Sequence, residues 1–400
     1  MSGKPVAGAG SAASGGAMSV LRSARLPAAM LLGAAALGLV VANSPLGAGV
    51  QDVLHREVGV PGLFTLSLDH WIADGLLALF FFAVAVELQV ELTRGQLNSA
   101  RKAVQPAIAA AGGVILPIAI FLVIAAGGES TPGWPVPTAT DIAFALGVLA
   151  VLGRDLPSSV RVFLLALAIL DDIVGIVLIA VLFTTGIDVV SLLAALALVV
   201  VFGVLSRQLG GPRHALVSAV LVVLALATWV LVSRSGVHAT IAGVALGLAM
   251  AQGPARRTRH ALEPWVSALV LPLFAFTAAL VVIPAVPLTE LSPAFWGVFV
   301  ALVVGKPAGI TLFGWIAQRT AGRGAAHLPV GDLLAVGALG GIGFTVSLLL
   351  AELAFADQPA LRDQATLGVL AGSLTSLVLA VMLVSWRAWH YRKITRTAHP

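Results

Sequence analysis

LLALAILDDIVGIVLIA, residues 164–180, is the stretch on which the fold turns. Asp171 and Asp172 stand side by side in its middle, and no other charged residue lies between Arg161 and Asp188. A run of this length and polarity matches a bilayer-spanning helix, which needs about 20 apolar residues. Within a bilayer each unpaired charge costs about 2.5–3.5 kcal/mol on the insertion scale. Intramembrane carboxylates are therefore functional candidates by default. Adjacent helix positions differ by about 100° in direction, so the two side chains meet different surroundings and serve two roles. Two close carboxylates also disfavour joint ionisation, as a site where protons and cations compete requires.

The rest of the chain fits this reading. Of 400 residues, 59% are hydrophobic and 10% charged, against roughly 25% charged in a soluble domain. The mean hydropathy is +1.03. Too little polar surface exists to cover a soluble enzyme, and a disordered chain is excluded too. The net charge of +5 is not gathered on one face, so no nucleic-acid partner is expected. With no cysteine, disulfides, thiolate metal sites and a cysteine nucleophile are excluded.

Residues 1–25, rich in Gly, Ala and Ser, read as a flexible cytoplasmic tail and not as a secretory signal. After it come about twelve apolar stretches of spanning length. They lie near 27–43, 71–92, 104–127, 134–152, 158–183, 188–206, 213–233, 236–252, 262–284, 294–318, 332–354 and 365–388. The expected fold is an all-α polytopic membrane protein, its membrane domain at 26–388 and a basic cytoplasmic tail at 389–400. With the N-terminus in the cytoplasm, nineteen of the 23 basic residues fall on the inner side. Arg56, Arg234 and Arg362 fall outside, and Lys306 lies in the membrane. This bias predicts an even number of spans with both termini cytoplasmic.

Two spans carry interruptions. In GWPVPTATDIAFALGVLAVLG, 133–153, Pro135 and Pro137 block regular helix, and Thr140 and Asp141 offer N-cap chemistry to the half that follows. The pattern reads as a broken helix near mid-membrane, or alternatively as a helix start at the interface. In the span at 332–354, Gly337, Gly340, Gly341 and Gly343 mark a second unwound segment or a close packing face. Paired interruptions point to a transporter site at a repeat interface. Spans 3–5 and 10–12 are seven apart, so the second set is inverted relative to the first.

Lys306 is mid-span in VVGKPAGITLFGW, with Pro307 behind it, and the Asp171–Asp172 pair is the natural partner for its ammonium. Glu87 and Glu91, one turn apart, either line a cation-attracting cytoplasmic funnel or form a polar helix end. His238 is either a hydrogen-bonded core residue or a pH switch. Asp74 and Glu352 read as interfacial.

PTATDIAFALGVLAVLG, LALAILDDIVGI, SGVHATIAG, LEPWV-x-x-LVLPLFAF, GKPAGITLF and GGIGFTVS resemble, in order and spacing, the NhaA-type Na+/H+ antiporters of bacterial inner membranes. The resemblance covers nearly the whole chain after the tail. It implies twelve spans, with spans 4 and 11 unwound and crossing at mid-membrane, and a homodimer joined through a hairpin at about 45–68. It implies electrogenic export of Na+ (or Li+) against external protons, for sodium and pH homeostasis, with no cofactor and no enzymatic reaction. Asp172 then looks like the principal cation ligand and proton carrier, and Asp171 like the partner of Lys306. Asp141 and Thr140 look like the groups that balance the helix ends and help hold the ion. Glu87 looks like the funnel's acidic mouth, and His238 like the pH-response histidine.

Departures from the pattern accompany the matches. Gln89 and Val90 stand between the two glutamates, where the family often has Lys-Arg. Arg259, with Glu263 one turn on, occupies an acidic pH-sensing position. Ala278 and Ala73 stand where asparagines are expected. Whether Asp171 or Lys306 carries a second proton is left open by the residues. A sodium-coupled solute symporter is the rival reading. An intramembrane aspartyl protease is excluded by the absence of its Tyr-Asp and Gly-x-Gly-Asp contexts, and a retinal protein by span count.

Overall fold

The computed structural model describes residues 25–60, 64–95, 98–184, 186–283, 287–320 and 327–398. The tail expected at 1–25 lies outside the described residues except for Arg25. The chain opens with α1 (Arg25–Ala42) and α2 (Gly47–Leu54), bent by 111° at the break between them. An antiparallel ribbon follows, of β1 (Glu57–Val60) and β2 (Phe64–Ser67), in the register Glu57↔Ser67 and Val60↔Phe64. It falls within the hairpin expected at 45–68, and the Trp71 indole N–H ties it to the membrane region through Val58 O at 2.8 Å.

Helices make up the remainder: α3 (Leu68–Arg94), α4 (Ala100–Ile124), α5 (Ile142–Leu152), α6 (Ser158–Leu182), α7 (Val189–Ser206) and α8 (His214–Arg234). After these come α9 (Ile241–Ala249), α10 (Gln252–Ala278), α11 (Pro293–Arg319), α12 (Val330–Gly340), α13 (Phe344–Ala354) and α14 (Pro359–Ala398). Among the described residues eight helices are long and apolar enough to cross a membrane, and ten if each bent pair counts as one span. Two of the twelve expected stretches fall short for a physical reason. In 134–152 and 236–252 the regular helix is limited to α5, with 11 residues, and α9, with 9. Irregular backbone precedes each, so neither reaches the length of about 20 residues that a continuous span needs.

Large apolar side chains face outward on several helices, among them α4, α7, α8 and α14. Val123, Val190, Leu193, Val223 and Met382 are each at least 60% exposed, as side chains facing lipid are. Inside, α4 and α11 approach so closely that a Cβ on Gly112 would lie 2.5 Å from the Gly309 carbonyl oxygen. Small residues permit this contact, and dispersion between backbones drives it where lipid removes the hydrophobic term. Phe121, Phe144, Phe274 and Phe355 are among the largest fully buried side chains, and Lys306 stands with them.

The interruptions have identifiable causes. Pro132, Pro135 and Pro137 confine the chain to two 3₁₀ turns, Thr131–Gly133 and Val136–Thr138, after which Ala139 is extended (φ −85°, ψ 156°) and α5 begins at Ile142. Between α12 and α13 the axis bends by 50°. The bend places Phe344 at φ +24°, the one non-glycine residue with positive φ among those described. Such a conformation costs about 1–3 kcal/mol and persists where the surroundings enforce it. Here the Ser373 hydroxyl accepts the Phe344 N–H at 3.1 Å, and Phe144 packs edge-on against the Phe344 ring at 5.1 Å. In α11 a π-turn, Ala301–Gly305, directly precedes Lys306. Pro307 has no N–H to offer the carbonyl four residues back and crowds it, which accounts for the extra residue in that turn.

Candidate functional site

The two interruptions meet. The Asp141 N–H donates to Ile342 O at 2.7 Å, and the Thr140 hydroxyl lies 2.8 Å from Gly340 O. Backbone groups freed by one break are therefore satisfied by the other. A Cβ on Gly337 would lie 2.8 Å from Pro307 O, so the missing side chain lets α12 rest directly on the Lys306–Pro307 turn. A Cβ at Gly341 would collide with Leu302 O (2.6 Å), and one at Gly343 with the Ser347 hydroxyl. Gly340, Gly341 and Gly343 thus serve both unwinding and close packing, the two roles the sequence left open.

Asp141 caps two helices at once. Its Oδ1 accepts the Phe144 N–H of α5 at 3.3 Å, and its Oδ2 accepts the Thr345 hydroxyl at 2.7 Å and the Thr345 N–H of α13 at 3.3 Å. Both helix N-termini carry partial positive charge, and a carboxylate is the complement. At the opposite pole, the C-terminal carbonyl of α12 lies against Thr140, which the Lys306 ammonium also contacts.

Asp171, fully buried, receives the Lys306 ammonium and the Thr140 hydroxyl on Oδ2, each at 2.7 Å. Lys306 Nζ also donates to Thr140 Oγ1 at 2.5 Å. The hydroxyl has one hydrogen and two acceptors in range, so it serves Asp171 or Gly340 but not both. Asp171 Oδ1 is buried with no hydrogen-bond partner among the described residues. Asp172, 8% exposed, takes no part in these hydrogen bonds, which converge on Asp171.

Other nominated residues form separate groups. Glu87 pairs with Arg259 at 2.8 Å between α3 and α10, both half-buried, with Glu91 one turn along α3. Glu263 turns to His260 at 3.2 Å instead of joining them. His238, in the turn before α9, reaches Asp74 at 3.3 Å and the Thr240 hydroxyl at 2.7 Å. Asp74, read as interfacial, thus has a specific partner. Glu352, read the same way, lines a polar cavity of about 320 Å³ together with His55, Asp69, Arg362 and Asp363. A buried group escaped the sequence altogether: Asp332 binds Arg387 and Tyr391. Among the described residues no three His, Cys, Asp or Glu side chains form a metal-holding group.

A helical membrane protein with two interrupted helices meeting at buried carboxylates and a buried ammonium has the architecture of a secondary transporter. A family model described as Na+/H+ antiporter 1 matches residues 18–384. The chain is 53% identical over 383 residues to "Na(+)/H(+) antiporter NhaA 2" of Clavibacter michiganensis subsp. michiganensis, covering 94% of this chain and 93% of that one. It is 46% identical over 371 residues to "Na(+)/H(+) antiporter NhaA" of Tropheryma whipplei, covering 92% and 95%. The fold is similar to the solved structure of the sodium proton antiporter MjNhaP1 from Methanocaldococcus jannaschii at pH 8, with a TM-score of 0.53, 17% identity and coverage of 94% and 98%. The chain belongs to the Na+/H+ antiporter 1 family.

Proposed function

We propose that this chain exchanges cytoplasmic Na+ (or Li+) for external protons, electrogenically, in a bacterial inner membrane. The observation that carries the reading is Asp171. It is held by Lys306 and Thr140 through one oxygen while the other oxygen is buried without a partner. A hard cation takes oxygen ligands, and Asp172, Asp171, Thr140, Asp141 and nearby carbonyls offer them. Sodium and protons compete for Asp172 and Asp171, so neither crosses free of the other. If sodium displaces Lys306 from Asp171, a second proton leaves with that exchange, through Asp171 or Lys306. One net charge moved inward draws about 2.3 kcal/mol per 100 mV.

The same reading counts twelve spans, with the segments around α5 and α9 crossing as partly irregular backbone. It makes spans 3–5 and 10–12 inverted repeats, leaves both termini cytoplasmic, and joins two copies through the hairpin at 45–68. Glu87 and Glu91 line the cytoplasmic funnel, and His238 and Arg259 serve the pH response. The names of the relatives quoted above support the exchanger over a solute symporter. The test is collapse of a pH gradient in proteoliposomes titrated with Na+, Li+ and K+. Asp172→Asn abolishes sodium-dependent proton movement, and retained exchange would sink the assignment.

A further inference from the structure

The interrupted segment α12 is held at one end by α14. Asp332, the third residue of α12, is fully buried, and its two oxygens take Arg387 Nε at 2.7 Å and the Tyr391 hydroxyl at 2.6 Å. Arg387 and Tyr391 are four residues apart on α14 and so share a face. One position further, Arg392 Nε lies 3.1 Å from Asp155 Oδ2, in the link that leaves α5. A Cβ on Gly331 would lie 3.1 Å from Arg387 Cδ, so this glycine admits the arginine stem. A buried pair of this kind is weak evidence for stability, and its better-attested use is to fix register. The far end of α12, eight residues and about 12 Å away, is Gly340, whose carbonyl meets Thr140. Arg387, sorted by sequence with the basic cytoplasmic residues, is thus a buried bond between two helices.

We propose that Asp332, Arg387 and Tyr391 are positioning residues: they fix the register of α12 and, through Gly340, the geometry of Thr140, Lys306 and Asp171. The inference rests on reading that cluster as the exchange site. The test uses full-length protein in proteoliposomes and compares the sodium KM, kcat and pH profile of Tyr391→Phe and of paired Asp332→Asn/Arg387→Gln with the parent. The pair removes both charges and avoids stranding one. Tyr391→Phe, which deletes one hydroxyl, decides the matter should the pair fail to fold. The expected result is a sodium KM raised about tenfold, the equivalent of one charge-assisted hydrogen bond, and a displaced pH profile, with kcat changed less. KM and pH profile within about twofold of the parent, alongside a lowered melting temperature, would overturn the proposal, since a merely structural bond moves stability alone. Asp172→Asn runs in parallel. Exchange persisting there defeats the reading of the site, whereas a dead Asp172→Asn beside unchanged Tyr391→Phe defeats the positioning role alone.

Discussion

Asp171 and Lys306 are an ion pair with no exposure on either side chain. Removing one member of such a pair strands the other, at a cost of about 3–5 kcal/mol, whereas removing both is often neutral. Lys306→Met therefore lowers thermal stability in detergent, and Asp171→Asn/Lys306→Met recovers most of the loss; equal stability of the two variants would deny the pair its structural weight. Thr140→Val, which deletes a hydroxyl shared among Lys306, Asp171 and Gly340, costs about 1–3 kcal/mol on the same scale. Sequence alone disclosed Asp171, Asp172 and Lys306, since a charge inside an apolar run has no inexpensive explanation. Asp332 was hidden for the converse reason. It stands in the first turn of its helix, where an acidic residue is ordinary, and its partners lie 55 and 59 residues away on another helix.

At the scale of elements, one carboxylate serves two helix N-termini. Losing a cap typically costs about 1 kcal/mol. Asp141→Ala thus destabilises by about twice that, and Asp141→Asn, whose single amide oxygen still accepts the N–H of one of the two helices, by less; thermal unfolding of the two variants makes the comparison. Gly337→Val forces α12 off the Lys306–Pro307 turn, and is expected to abolish exchange in vesicles while the protein still inserts. Exchange at the parent's rate would show the contact to be slack. The interruptions themselves were legible from Pro135, Pro137 and the glycine run. Their mutual fit was not, because nothing in either stretch records that the Asp141 N–H ends on Ile342. The irregular entrance to α9 had no proline to announce it, and the apolar pattern there read as an ordinary span.

Across the whole molecule, the scarcity of charge sorted the chain into membrane and aqueous parts, and the few charges left inside marked the centre. Away from that centre, Arg259 on α10 meets Glu87 on α3. Arg259→Glu, which sets like charges against each other there, is expected to displace the pH profile of exchange, and an unchanged profile would remove this pair from pH control.

The length of α14 carries one more consequence. Its 40 residues extend about 60 Å, roughly twice the hydrocarbon thickness of a bilayer. Bonded to Asp332 about three quarters of the way along, such a rod is expected to answer a thinner membrane by tilting. Lipid thickness is then expected to act as a mechanical input, delivered by tilt to the half-helix that borders the proposed ion site. In vesicles made from lipids of graded acyl length, the sodium KM of the parent should drift with thickness, and that of Asp332→Asn/Arg387→Gln should not.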